Sequence, residues 1–192
     1  TTGKSLADSN GESGSIEIST ADGGTQGSGD IEMNIGVSQH SGGDVKLSAG
    51  NAAQLGGGIL LSAGTSQTTT GGNIVMNSGT STAASSGGVA ITSATTSGSG
   101  NTGSVSVISG QSAKSSGEIV LKTGSTLETS STSGGISMIA GNSGGGLGGT
   151  VAFKAGESIS AGAGGSVTVS SGSGKLSSSS GSVTVQTASS SA

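Results

Sequence analysis

Aliphatic residues fall in alternating pairs along this chain: Ile16/Ile18, Ile31/Met33, Val45/Leu47, Ile59/Leu61, Ile74/Met76, Val89/Ile91, Val105/Val107, Ile119/Leu121, Ile136/Met138, Val151/Phe153, Val167/Val169 and Val183/Val185. The pairs recur every fourteen to seventeen residues, twelve times in all. A glycine stands two residues before each: Gly14, Gly29, Gly43, Gly57, Gly72, Gly87, Gly103, Gly117, Gly134, Gly149, Gly165 and Gly181. Self-similarity at a short period marks an array of stacked repeats.

Positions within a copy are counted from its first apolar residue as zero. Position four is Thr, Ser or Ala in every copy except at Ile35, and position five is Gly in nine copies and Ala in the other three. Alternating positions share one face of an extended strand, so zero, two and four are expected to point inward. Positions one and three, which include Glu17, Glu32, Lys46, Lys122 and Lys154, face the other way. Glycine brackets each strand and suits sharp corners, because it tolerates backbone angles closed to other residues.

The residues left over suggest a topology. A strand of six residues spans roughly 20 Å. About nine more per copy are enough to turn, run back the same distance and turn again, whereas a tight hairpin needs only about two to five. The expected fold is therefore all-β without helices: a parallel β-solenoid, or β-helix, of about twelve coils. Glycines form its corners and the aliphatic pairs form a continuous ladder core. At a rung spacing of ~4.8 Å the rod would be about 55–60 Å long. Residues 1–192 read as a single array with no capping repeat at either end, hence a segment of a longer solenoid or a filament subunit.

Composition narrows the chemistry. There is no Cys, Pro, Trp or Tyr, charged residues are 8%, aromatics are 1%, and the net charge is −4. Seven of the ten acids (Asp8, Glu12, Glu17, Asp22, Asp30, Glu32 and Asp44) precede residue 45. Nucleic-acid binding calls for a basic stripe and stacking aromatics, and six scattered lysines provide neither. No apolar run approaches the ~20 residues of a membrane span.

Apparent catalytic motifs lack their contexts. Gly98-Ser99-Gly100-Asn101-Thr102-Gly103 spells a dinucleotide fingerprint, but it leads into the strand at Val105 rather than opening a helix. Gly174-Lys175 is followed by Leu176 where a phosphate loop has Ser or Thr. His40, Ser41 and Asp44 adjoin in sequence, which does not give triad geometry. One histidine and no cysteine give no basis for a transition-metal site. Neither enzymatic activity nor a cofactor is expected.

Segments such as Gly-Gly-Ser-Val-Thr-Val-Ser-Ser-Gly (164–172) and Ser-Gly-Ser-Val-Thr-Val-Gln-Thr (180–187) resemble the Gly/Ser/Thr-rich repeats of secreted cell-surface proteins from diatoms and related algae. The resemblance covers nearly the whole chain in repeat style and brings no functional residues with it. It implies a matrix, fibre or adhesion component. The expected function is thus a non-enzymatic extracellular structural protein, forming a fibre, sheath or adhesive by stacking of β-coils. End-to-end or lateral self-association is its expected partnership, with extracellular polysaccharide a candidate partner. The alternative is a surface-binding module for carbohydrate or ice. A second mode of pairing, antiparallel or between chains, competes with the solenoid.

Overall fold

The computed structural model describes residues 13–25, 27–128, 130–175 and 178–189. The chain divides into two units, Thr1–Ala90 and Ile91–Ala192. The expected β-solenoid is not there. Among the described residues no strand pairs with another and no helix forms. The accessible surface is 19098 Å². A folded chain of this mass would expose about 8,000 Å² and an extended one about 25,000 Å², so most backbone and side-chain surface faces solvent.

The alternation inferred from the apolar pattern does hold locally. Asn34 Nδ2 donates to Glu32 Oε1 at 2.6 Å, and Lys46 Nζ lies 3.0 Å from Asp44 Oδ2. Side chains two residues apart meet only where the backbone is extended and alternates its faces. The segments of these two copies are accordingly extended, but they have no ladder partner among the described residues.

What overturns the solenoid is the path between segments. A returning wall would carry position five of one copy about 20 Å from the next copy's leading glycine. Instead the two are neighbours. The amides of Gly57, Gly72, Gly87, Gly149, Gly165 and Gly181 donate to the carbonyls of Gly50, Gly64, Gly79, Gly141, Gly156 and Gly172, each at 2.9 Å. Partners are seven to nine residues apart in sequence, so the intervening residues close a loop on themselves. Such closed-ended excursions are compact surface loops, and their necks are pairs of glycines.

Eight of the loops bend at a constant place. The bends begin at residues 39, 53, 67, 82, 97, 113, 144 and 159, all position eight of their copies. In six of the eight the residue before the bend explains it. Ser38, Ser66, Ser81, Thr96, Ser112 and Ser143 stand at position seven, and each hydroxyl oxygen accepts the amide two residues on. Ser66, Ser81 and Ser143 also accept the next amide, from Thr69, Ala84 and Gly146, at 2.8–2.9 Å. A hydroxyl that captures downstream amides turns the chain without a helix or ladder.

Two copies place glycine at position seven, and there the loop tightens differently. A methyl group on Gly23 would run into the backbone of Gly27, which has φ +97°. One on Gly174 would run into the carbonyls of Ser178 and Ser179, beside a Ser178 amide that donates to Lys175 O at 3.2 Å. Position seven is therefore a hydroxyl or a glycine with backbone packed against it, except at Ala52.

Candidate functional site

The candidate site is a repeated unit: an apolar pair, the small residue that follows it, and the glycine neck that closes the next loop. The twelve leading glycines are as constant as the sequence suggests, but for another reason. None of the leading glycines has a positive φ; among the described residues that conformation belongs to Gly27, outside the set. Space is tight for a side chain at five of them, Gly43, Gly57, Gly72, Gly149 and Gly165. A methyl on Gly149 would lie 3.1 Å from Ala140 Cβ and 3.2 Å from both Gly141 N and O. At Gly57, Gly72 and Gly165 the position-four alanines Ala49, Ala63 and Ala155 would stand 3.3–3.4 Å away. At these four necks the leading glycine and the preceding alanine share one cause, the close approach at the neck.

The two glycines of a neck differ. A methyl on Gly57, Gly72, Gly149 or Gly165 meets backbone at 3.2–3.3 Å, whereas nothing lies within 4 Å of one on Gly50, Gly64, Gly79, Gly141, Gly156 or Gly172.

Exceptions to the pattern fall where the neck fails. Ile35 is the one large residue at position four, and its Cγ2 would sit 3.0 Å from a methyl on Gly43; that junction has no bond. Ala21 and Ala94 replace glycine at position five, and neither junction is bonded; Gly103 then has nothing within 4 Å. The longest loop, between Gly124 and Gly134, is spanned by a hydroxyl contact of 3.3 Å between Thr126 and Ser133. The Gly110–Gly117 junction lacks the bond without any departure in its residues.

The expected ladder core is corrected residue by residue, because every member of the aliphatic pairs is exposed. At position zero, Ile16, Ile31, Val45, Ile59, Ile74, Val89, Val105, Ile119, Ile136, Val151, Val167 and Val183 all face solvent. At position two, so do Ile18, Met33, Leu47, Leu61, Met76, Ile91, Val107, Leu121, Met138, Phe153, Val169 and Val185. The physical reason is the same for all of them. Six of the loops close on themselves, no segment pairs with another, and among the described residues nothing covers the apolar side chains.

The two positions are nevertheless not equivalent. Position zero is 46–59% exposed in eleven copies, with Ile16 at 71%, whereas position two is 57–93% exposed and exceeds its partner in every copy. The first residue of each pair is partly sheltered and the second stands further out. Apolar residues of the loops face solvent as well, as at Leu127 and Ile159; Leu176 lies outside the described residues.

Other singled-out residues form no assembly. The His40 amide donates to Ser38 Oγ, and His40 is exposed on the bend. In the fingerprint-like segment, Gly98 N donates to Thr96 Oγ1 and the chain bends through 97–100. Asp8 and Glu12 lie outside the described residues. Among the described residues there is no pocket and no group of side chains placed to hold a metal, and no helix is long and apolar enough to cross a membrane.

The position-seven hydroxyls are the turn-forming residues that the period of the apolar pairs does not reveal. Aligning copies on position zero exposes them, as Ser or Thr in eight of the eleven described copies. No family model matches the chain, and no curated protein or solved structure matches it either.

Proposed function

We propose that this chain is a non-enzymatic structural protein of the extracellular matrix or cell surface, working by association of many copies into a fibre, sheath or adhesive layer. The stacking of coils within one chain is set aside. Association instead occurs between chains, through the extended apolar segments. The observation that carries this reading is the twelvefold exposure of aliphatic pairs on backbone with no ladder partner. Contiguous exposed apolar surface and unpaired extended edges each favour association. The neutral, hydroxyl-rich remainder offers little charge repulsion against it.

The test uses the purified full-length chain over a concentration series, followed by sedimentation and electron microscopy. Fibres or sheets above a threshold concentration are expected. A chain that stays monomeric at millimolar concentration would contradict the proposal.

A further inference from the structure

We infer that residues 57–79 are the segment through which a second copy of this chain docks, parallel and in register with the same residues of its partner. The inference rests on the self-association just proposed and names the part of the chain that carries it.

Two observations set this stretch apart from the other apolar pairs. The first is the residue between the two members of a pair. Position one is an aliphatic residue larger than alanine in three copies, at Leu60, Val75 and Val120, and is Ala, Ser, Thr, Glu or Lys in the rest. At these three the apolar character is continuous, as Ile59-Leu60-Leu61, Ile74-Val75-Met76 and Ile119-Val120-Leu121, and all nine residues face solvent. No bend interrupts residues 55–66 or 70–81. Successive residues of such a chain point to opposite sides, so the segments at Leu60 and Val75 are apolar on both.

The second observation is charge. No Asp, Glu, Lys, Arg or His occurs between Lys46 and Lys114. Val120, by contrast, has Glu118 and Lys122 two residues to either side. In-register stacking sets each residue about 4.8 Å from its own copy, and like charges directly opposite are destabilising. Glu17, Glu32, Lys46, Lys122 and Lys154 each stand within an apolar segment and would meet themselves in this way. Residues 57–79 carry no such penalty.

The stretch is also one local element. It lies within the unit Thr1–Ala90. The Gly72 amide donates to the Gly64 carbonyl at 2.9 Å, so the end of the first segment meets the beginning of the second. The Gly50–Gly57 and Gly79–Gly87 necks close at the same distance on either side. A copy that docks on one segment is thereby brought to the other.

The asparagines select the register. Asn73 and Asn77 flank Val75, and in-register stacking lays each amide on its own copy, as in the asparagine ladders of cross-β assemblies. The antiparallel alignment that also matches the triplets, Ile59 on Met76 and Leu61 on Ile74, leaves Asn77 opposite Gly58 with no side chain to bond. The six aliphatic side chains of the two segments expose on the order of 500 Å² of apolar area. That is the larger part of the about 800 Å² each partner buries in a stable interface, and the backbone of the same residues supplies the rest. Phe153, the single aromatic residue, lies outside the stretch, which therefore lacks a stacking platform for a sugar.

The test uses the full-length chain. One variant carries Leu60→Lys and Val75→Lys. Its control carries Leu127→Lys and Ile159→Lys, which remove two exposed aliphatic residues of the loops and add the same charge. Soluble concentration at assembly equilibrium is measured by sedimentation. The first variant should need at least about tenfold more protein than wild type, because docking would bury its lysines. The control should stay within about twofold. Register is read from a nitroxide attached at Ser62→Cys, the chain having no cysteine of its own. Stacked labels about 5 Å apart should merge the three spectral lines into one. Equal thresholds in the two lysine variants would overturn the assignment to residues 57–79 and leave self-association standing. Three resolved lines from the assembled chain would overturn the register. A wild-type chain that never assembles would overturn this inference together with the function on which it rests.

Discussion

Ser66 illustrates how a residue outside the apolar pattern shapes the chain. Its oxygen accepts the Thr69 amide at 2.9 Å and lies 3.4 Å from the Thr68 nitrogen, and it shares a 3.0 Å hydroxyl contact with Thr69. In solvent-exposed loops such bonds are worth about 0.5–1.5 kcal/mol each. Ser66→Ala should therefore speed amide exchange at Thr69 by about threefold to tenfold. Exchange at Gly87, in the next loop, should be unchanged. Equal acceleration at both sites would show that the turn is not local. Gly23 is a residue of the opposite kind, where a methyl has no room against Gly27. Polarity at one position and absence of volume at the other produce the same reversal of direction.

At the scale of the element, closing a loop is a near balance. Joining the ends of eight residues costs about 2 kcal/mol plus a constant, and one neck bond returns about 1 kcal/mol. The hydroxyl turn, which fixes part of the path in advance, is thus a needed contribution. Loop length then matters little. Inserting Gly-Ser after Gly145 should cost about 0.2 kcal/mol in closure entropy and leave protection of the Gly149 amide within about twofold. One residue inserted between Ile136 and Met138 should instead move Met138 and Ala140 to the other face and abolish that protection. Hydrogen exchange at Gly149 distinguishes the two, and equal loss in both variants would contradict the neck. Parts of this element are readable in the residues alone: the alternation of faces, the small residue at position four, and the confinement of length variation to the connection. The closure is not readable from length, since nine residues suffice either to run back about 20 Å or to close a loop. The position-seven hydroxyls and the pairing of small residue with glycine are what decide between these, and both appear only when copies are aligned on position zero.

For the whole molecule, the aliphatic pairs resemble a core in sequence for a physical reason. A hydrophobic beat identifies surface that favours burial, but it does not say whether the cover comes from the same chain. Closed loops leave no second wall, so side chains such as Leu47 and Leu61 remain outside. Assembly driven by them should weaken on cooling, as apolar association does. The threshold concentration is expected to rise at least about twofold from 37 to 4 °C. It should vary by less than about twofold between 20 and 500 mM NaCl, because charged residues are only 8% of the chain. A threshold that responds steeply to NaCl but not to temperature would assign the association to charge instead.

The central claim is that six of the apolar segments lead into loops whose ends meet at paired glycines. Proton cross-relaxation on uniformly labelled chain below its assembly threshold tests it most directly. Contacts are expected from the Ala49, Ala63, Ala140 and Ala155 methyls to the α-protons of Gly57, Gly72, Gly149 and Gly165. Contacts of Val45 with Ile59 and of Ile59 with Ile74, in place of these, would contradict the claim, because they require a wound, stacked chain.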